Sequence, residues 1–270
     1  MLGRMRLYVL DLGWMRMEGS LLFRGPDPSP GIVEIPISAY CIDHPDGRVL
    51  FDAGCHPDSM GPTGRWPAEY QAAYPYLAGA ECQLPNRLEQ LGLGPDDFRY
   101  VVLSHLHSDH AGCVEFFSKS TLVVHEDELA VAMRLHRAGE RASTYCWDDI
   151  DRWTKLDLDW RKVGRNESRL ALNDRVTIHN WGRGHADGML GLEVRLRERP
   201  GVILTSDAIY CRENYEPPMY RAGFIEHPAE YDRTVEEIRA LAVRTGCEPW
   251  FGHDPRQFPM LRKSTEGWYE

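Results

Sequence analysis

Short apolar runs, each ended by turn residues, dominate the first half of the chain. Runs of this length that are rich in β-branched and aromatic residues are typical of β-strands. They predict strands at residues 7–10, 33–42, 49–52 and 98–103, and a further strand that closes at residues 123–124. Apolar residues at helical spacing predict helices at residues 83–91 and 126–136.

The second half of the chain shows the same alternation of strands and helices. Apolar runs predict strands at residues 176–179, 190–196, 202–206 and 249–251, and an amphipathic pattern predicts a helix at residues 229–244. Two groups of strands with helices outside them favour an α/β (α+β) fold of the αββα sandwich type, in which two packed sheets carry helices on both outer faces. Periodicity alone would also permit a doubly wound sheet.

Two segments lack a clear period. Residues 55–85 are rich in Pro, Gly and aromatic residues, which predicts a long loop near a site. Residues 137–168 are polar and rich in Trp and Asp. We interpret them as an inserted helical or loop segment, which either covers the site or is a solvent-exposed segment without a functional role. Because no repeat or Ser/Gly-rich linker divides the chain, a single domain is predicted across residues 1–270.

Composition restricts the class of protein. The 270 residues carry a net charge of −10 and no basic stripe, so we expect no nucleic-acid partner. No apolar run approaches the ~18 to 20 residues of a membrane helix, and the N-terminal residues lack the cleavage site of a signal peptide, so no membrane partner is expected either. Seven scattered cysteines without a CxxC pair predict reduced thiols in the cytoplasm.

The first candidate functional residues follow directly after the strand predicted at residues 98–103. There the chain reads Ser104-His105-Leu106-His107-Ser108-Asp109-His110. Consecutive residues on a helix would point about 100° apart, whereas a loop can aim His105 and His107 at one point and Asp109 with His110 at a neighbouring point. Imidazole nitrogens and carboxylate oxygens suit Zn²⁺. Two pairs of ligands so close together predict two adjacent metal ions bridged by water or hydroxide.

A site for two ions needs more ligands than this loop provides. Three further candidates lie where a predicted strand gives way to a loop. His185 and His253 each follow a glycine, and Asp207 directly follows the run at residues 202–206. All three could therefore converge at one rim of a sandwich.

Together these motifs resemble the metallo-β-lactamase superfamily, whose signature is HxHxDH followed by distant His, Asp and His ligands. Within it, the chain is most similar to the quorum-quenching N-acyl homoserine lactonases and the related pyridoxolactonases. The similarity runs over about residues 7–257. The matching segments are Phe51-Asp52-Ala53-Gly54, Ser104-His105-Leu106-His107, Asp109-His110-Ala111-Gly112, Thr205-Ser206-Asp207-Ala208-Ile209-Tyr210 and Gly252-His253-Asp254.

The resemblance implies a ligand set for two Zn²⁺ ions per chain. The first ion would be held by His105, His107 and His185, the second by Asp109, His110 and His253, and Asp207 would bridge both. Fe²⁺, Mn²⁺ or Co²⁺ could also occupy such a site.

The resemblance also implies roles in the reaction. Asp109 would orient the attacking hydroxide and carry a proton to the leaving ring oxygen. Tyr210 would point its hydroxyl at the substrate carbonyl or its developing oxyanion, although a packed aromatic at a strand end is the alternative. Asp52 could hydrogen-bond a ligand imidazole or could equally cap a local turn.

Some positions depart from the pattern of the lactonases. Ser108 stands where many of them carry Phe, which makes it a candidate substrate-binding residue and weakens the case for a long acyl chain. Cys113 replaces a glycine, and residues 186–189 read Ala-Asp-Gly-Met instead of Ser-Pro-Gly-His. An apolar N-terminal stretch either lines the substrate entrance or forms core or a homodimer interface. It consists of Trp14, Met15, Met17 and Leu21.

The resemblance therefore predicts a lactonase that opens an N-acyl homoserine lactone-like ring by attack of hydroxide held between two ions. The alternatives are related dinuclear hydrolases of another lactone, such as a pyridoxolactone, or of a thioester, aryl ester or phosphoester. Glyoxalase II shares the HxHxDH loop, but its basic C-terminal glutathione-binding region is not evident here. A protein with a closed structural zinc site is a third hypothesis, although cysteine usually dominates such sites.

Overall fold

The computed structural model describes residues 4–25, 31–141 and 143–270, and within these ranges the strands form two sheets. The strands are β1 (Arg6–Glu18), β2 (Ile32–Asp43), β3 (Arg48–Phe51), β4 (Tyr76–Leu77), β5 (Phe98–Val102), β6 (Thr121–His125), β7 (Asp159–Val163), β8 (Arg169–Ala171), β9 (Val176–Gly182), β10 (Met189–Val194), β11 (Val202–Ser206) and β12 (Glu248–Phe251). The α-helices are α1 (Gly19–Leu22), α2 (Ala68–Ala73), α3 (Leu84–Gln90), α4 (Ser108–Ala111), α5 (Glu126–Ala138), α6 (Trp147–Trp153), α7 (Arg212–Tyr215) and α8 (Pro228–Thr245).

The larger sheet has the strand order β4-β1-β2-β3-β5-β6-β7, and the smaller sheet has the order β12-β11-β10-β9-β8. In the larger sheet β3, β5, β6 and β7 run parallel, and β1 and β2 form a long antiparallel pair. Helices α3 and α5 contact the larger sheet, and α8 contacts the smaller one. The mixed α/β sandwich predicted from the sequence is confirmed.

The two sheets pack face to face through alternate residues of their strands. One buried cluster joins Val102 and Val123 of the larger sheet with Leu192 and Leu204 of the smaller sheet. Their chain neighbours, such as Val101, belong to a second cluster that includes residues of the helices. Because successive side chains of a strand point to opposite faces, each inner strand is buried on both sides. The space between the two sheets is therefore filled with apolar side chains.

The predicted strands and helices are present, but several of their ends differ. The largest difference is β1, which extends to Glu18 instead of ending near residue 10. A register shift between Asp11 and Trp14 lets β1 continue along β2, and Gly13 at φ +95° supplies the irregular conformation.

The segment at residues 137–168 was predicted as an insert of helix or loop, and this is only partly right. It contains α6, but it also contains β7, which pairs in parallel with β6 at the edge of the larger sheet. Only Val163 is buried in β7, and the strand is mostly charged. An edge strand needs few apolar residues, so it leaves no apolar run in the sequence.

The carboxyl ends of several strands lie at one rim of the sandwich. β3 is parallel to β5, and β11 is parallel to β12. β9 runs in the same direction as β11, because both are antiparallel to β10. In α/β folds, loops at the carboxyl ends of parallel strands commonly carry binding sites.

Among the helices of the described ranges, none combines the length and the apolar character that a membrane span requires.

Candidate functional site

The HxHxDH motif begins as a loop and ends in a helix. His105 and His107 lie in the loop after β5, as predicted, but Asp109 and His110 lie in the short helix α4. The other candidates follow strand ends: His185 lies between β9 and β10, and Asp207 directly follows β11. His253 follows β12. All seven predicted residues are brought together at one rim of the sandwich.

These side chains form two groups on either side of Asp207. We call His105, His107 and His185 the histidine cluster, and Asp109, His110 and His253 the mixed cluster. Asp207 Oδ2 lies 3.3 Å from His185 Nε2 and 3.8 Å from His105 Nε2. Asp207 Oδ1 lies 3.0 Å from His253 Nε2 and 3.2 Å from His110 Nε2. Each oxygen of this one carboxylate therefore faces a different cluster.

The spacing of the candidate ligand atoms suits metal ions. Two atoms that are both about 2.1 Å from one tetrahedral zinc ion lie about 3.4 Å apart. His185 Nε2 and His107 Nδ1 are 3.1 Å apart, and His110 Nε2 and His253 Nε2 are 3.3 Å apart. Among the described residues, the buried His105 Nε2 has no hydrogen-bond partner. Buried polar atoms normally have partners, so this nitrogen fits the role of a metal ligand.

In four of the imidazoles, the Nδ1 nitrogen lies within hydrogen-bonding distance of a protein oxygen. His110 Nδ1 lies 2.9 Å from Asp52 Oδ2, and His105 Nδ1 lies 2.9 Å from Ser104 Oγ. The ring N–H of His253 donates to the Pro36 carbonyl at 2.8 Å, and that of His185 donates to the Phe224 carbonyl at 3.1 Å. With Nδ1 held in this way, each ring directs its Nε2 to the centre of the site, as metal-binding histidines generally do.

Asp52 organises the deepest part of the site. Its carboxylate accepts hydrogen bonds from the Ser104 backbone N–H at 2.7 Å, the Ser104 hydroxyl at 2.9 Å and the Ser206 hydroxyl at 3.1 Å, besides the contact with His110. Asp52 and Ser206 both have positive φ, at 61° and 46°. Such conformations cost about 1–3 kcal/mol each, and they cluster at functional sites. Of the two interpretations of Asp52, the contact with His110 is the one that the structure contains.

The histidine cluster is electrically neutral near pH 7. Burial lowers the pKa of His105, His107 and His185, because a charged imidazole is poorly solvated inside the protein. Their nitrogens are therefore available as ligands without the loss of a proton.

The mixed cluster is ionic. Burial opposes a charge on His110, but nearby carboxylates, Asp207 foremost, raise its pKa well above the usual value. Burial also disfavours the charged form of Asp109, but His110 outweighs it and lowers the pKa of Asp109 to about 2. The carboxylates of this half of the site thus favour positive charge beside them.

A cleft opens from the two clusters toward solvent. Its lining includes the candidate ligands His107, Asp109, Asp207 and His253, together with Tyr210. It also includes the apolar side chains of Met15, Met17, Leu21, Ile35 and Phe224, and the hydroxyl-bearing residues Tyr70, Tyr74 and Thr144. The cleft therefore places apolar surface and hydrogen-bonding groups beside the candidate ligands.

Tyr210 lines this cleft beside His185. Its hydroxyl oxygen lies 3.2 Å from His185 Nδ1, whose proton is already directed at the Phe224 carbonyl. The phenolic proton of Tyr210 is thus free to bind a ligand. Burial raises the pKa of Tyr210 well above its usual value, so the phenol remains a donor.

Other predicted pocket residues take different positions. Ser108 is buried, and its hydroxyl donates to the Tyr70 hydroxyl at 3.4 Å, so it contacts the cleft wall through Tyr70. Met15 and Met17 line the cleft, whereas Trp14 packs against Phe258. Successive side chains of a strand point to opposite faces, so Trp14 lies on the face of β1 opposite to Met15 and Met17.

Several residues that line the cleft were not predicted from the sequence. Tyr70 and Tyr74 come from the segment at residues 55–85, which was expected to lie near a site. Ile35, Thr144 and Phe224 gave no signal, because single side chains at these positions belong to no motif.

The chain matches the sequence model of the metallo-beta-lactamase superfamily over residues 32–243. It is 48% identical over 273 residues to the N-acyl homoserine lactonase AiiB of Agrobacterium fabrum, a match that covers 98% of this chain and 99% of the relative.

Solved structures with the same fold include a Bacillus thuringiensis AiiA variant with N-decanoyl-L-homoserine bound at its active site. That similarity has a TM-score of 0.81 at 24% identity and covers 98% of both chains. The dizinc quorum-quenching lactonase AidC has a TM-score of 0.67 at 14% identity, covering 94% of this chain and 89% of that chain. The protein thus belongs to the metallo-beta-lactamase superfamily and, within it, to the N-acyl homoserine lactonase family.

Proposed function

We propose that this protein is a metal-dependent hydrolase that opens the lactone ring of N-acyl homoserine lactones, and that it holds two Zn²⁺ ions. The observation that carries the proposal is the position of Asp207, which lines an open cleft and whose two oxygens face two sets of ligand atoms. The 48% identical relative, a lactonase, supports the same activity.

The ligand assignment follows the two clusters. The histidine cluster would hold one ion, the mixed cluster the other, and Asp207 would contact both. The nitrogen-rich donor set favours zinc over the hard cations Mg²⁺ and Ca²⁺. Bound divalent cations supply Lewis acidity, which acidifies water and polarises an ester carbonyl.

The residues of the cleft supply the remaining steps. Asp109 is the most solvent-accessible carboxylate of the site, with 12% of its side chain exposed against 4% for Asp207. In its ionised form, Asp109 can accept the proton of an attacking water and deliver it to the ring oxygen as the ester bond breaks. Tyr210 can donate its phenolic proton to the carbonyl oxygen, where negative charge develops.

The lining of the cleft matches the two parts of the substrate. The apolar side chains of Met15, Met17 and Phe224 would contact the acyl chain. The Tyr70 hydroxyl would bind the amide, with Ser108 acting through its hydrogen bond to Tyr70.

Tyr210→Phe is expected to lower kcat/KM for lactones by about tenfold or more at unchanged metal content, because it removes one donor to the developing oxyanion. Steady-state kinetics with elemental analysis of the same sample measures both. Tyr76→Phe is a matched control, since it also removes a phenol hydroxyl, that of a half-buried tyrosine, which donates to the Leu12 carbonyl at 2.6 Å. Equal kinetics of Tyr210→Phe and the parent would exclude Tyr210 from the reaction.

A substrate panel on metal-quantified protein tests the proposed function. Homoserine lactones, other lactones, thioesters, aryl esters and phosphotriesters are compared by the proton that hydrolysis releases. We expect homoserine lactones to have the highest kcat/KM. Inert lactones together with rapid turnover of phosphotriesters or thioesters would assign the site to another hydrolase.

The cellular setting and the assembly also belong to this proposal. All seven cysteines lie in the described ranges and are free thiols, which agrees with a cytoplasmic setting. The homodimer stays a prediction, and Met15 and Met17 do not support it, because both are buried within a single chain.

A further inference from the structure

Glu128 is a buried carboxylate that the proposed reaction does not use. It lies in the first turn of α5 and is 0% exposed. Its Oε1 accepts hydrogen bonds from the Leu106 backbone N–H at 2.9 Å and from the Tyr145 hydroxyl at 2.8 Å. Its Oε2 accepts a hydrogen bond from the Gly188 backbone N–H at 3.1 Å.

The two backbone donors belong to the two loops that carry the histidine cluster. Leu106 lies between His105 and His107 in the loop after β5. Gly188 lies three residues after His185 in the loop between β9 and β10. One carboxylate therefore ties a loop of the larger sheet to a loop of the smaller sheet.

The third donor acts on the same cluster. The ring of Tyr145 packs edge-on against the imidazole of His107, with 4.8 Å between the ring centroids. The hydrogen bond to Glu128 fixes the Tyr145 hydroxyl, and so limits the positions that its ring can take against His107.

The chemistry of the pocket agrees with a positioning role. Burial raises the pKa of Glu128 to about 7, because an ionised carboxylate is poorly solvated inside the protein. Placing a carboxylate there is therefore unfavourable by itself. The bonds from Leu106, Tyr145 and Gly188 partly offset this cost, because they favour the ionised form. An apolar side chain would fill the same space, but it would leave two buried backbone N–H groups without this acceptor.

We propose that Glu128 is a positioning residue that sets the geometry of the histidine cluster by holding the two loops and Tyr145 together. The inference rests on the proposed function only in that the histidine cluster binds a metal ion. Partners that orient metal ligands typically change metal affinity or activity by about 10- to 100-fold when they are removed.

Glu128→Gln is the direct test. A Gln side chain has one oxygen and one NH₂ group, so either Leu106 N–H or Gly188 N–H must face a donor. Metal-free protein is titrated with Zn²⁺ in competition with a chelator of known affinity, and Co²⁺-loaded protein is examined by visible absorption. We expect the affinity for one of the two ions to fall by about tenfold or more, and the affinity for the other to change less. The Co²⁺ spectrum should also be altered.

Glu193→Gln is the matched control, because Glu193 is also a buried carboxylate of a hydrogen-bonded network, with His179 at 3.1 Å and Arg195 at 3.0 Å. It is expected to lower thermal stability without changing either zinc step. If Glu128→Gln also lowers only stability, Glu128 is a structural residue and the inference is wrong.

Tyr145→Phe decides the question if Glu128→Gln does not fold, because it retains the ring and both backbone hydrogen bonds. It should weaken the same zinc step by about threefold, and unchanged zinc binding in Tyr145→Phe would then overturn the inference. A parent protein that binds no zinc would instead contradict the proposed function.

Discussion

Asp207→Asn is expected to lower kcat/KM for homoserine lactones at least about 10³-fold and to reduce bound zinc below two ions per chain. The carboxylate offers one oxygen to His185 at 3.3 Å and the other to His253 at 3.0 Å. An amide keeps the shape but places an NH₂ group on one of the two sides, where a metal ligand is needed. A 10³-fold loss corresponds to about 4 kcal/mol, the size expected for losing metal-assisted charge stabilisation.

Asp187→Asn is the matched control for this prediction. Asp187 lies two residues from His185, but its carboxylate is partly exposed and pairs with His227 at 3.1 Å. Removing that charge should change kcat/KM by no more than about twofold, since exposed pairs contribute little. If Asp207→Asn retains two ions and more than about a tenth of the activity, Asp207 does not bridge the clusters.

Asp52→Asn is expected to lower kcat/KM by about 10- to 100-fold and to weaken zinc binding by the mixed cluster. Asn tolerates the positive φ of this position, so the backbone can be retained. The amide nitrogen, however, must face either the His110 ring N–H or the Ser104 N–H, and both are donors. Either His110 changes tautomer and loses its free Nε2, or the loop that carries His105 moves.

Asp149→Asn separates this effect from a general loss of stability. Asp149 is also a buried aspartate, but its partner is Arg65 at 2.7 Å. We expect reduced thermal stability with normal zinc affinity for this variant. Normal zinc affinity and activity in Asp52→Asn as well would show that the contact of Asp52 with His110 does not influence metal binding.

Much of the candidate site could be predicted from the sequence because its ligands sit at strand ends. Short apolar runs locate β5, β11 and β12, and the residues that follow them contain His105, Asp207 and His253. Since carboxyl ends of parallel strands share one edge of a sheet, their convergence follows from the fold class. The resemblance to the lactonases supplied the grouping, including the bridging position of Asp207, which the distances support.

Other features could not be read from the sequence, because they depend on which way one side chain points. Glu128 belongs to a run of three acidic residues in the first turn of α5, where acids are common because they favour the helix dipole. Nothing in the sequence marks it as the member that turns inward. Strand β7 was missed because four of its five residues are not buried, so it carries no apolar run.

The most direct test of the account is a zinc titration of metal-free protein, followed by the initial rate of homoserine lactone hydrolysis. We expect no activity without metal and a rate that stops rising at two equivalents per chain, since the two oxygens of Asp207 face two clusters of ligand atoms. Full activity at one equivalent, or lactone hydrolysis without metal, would contradict it.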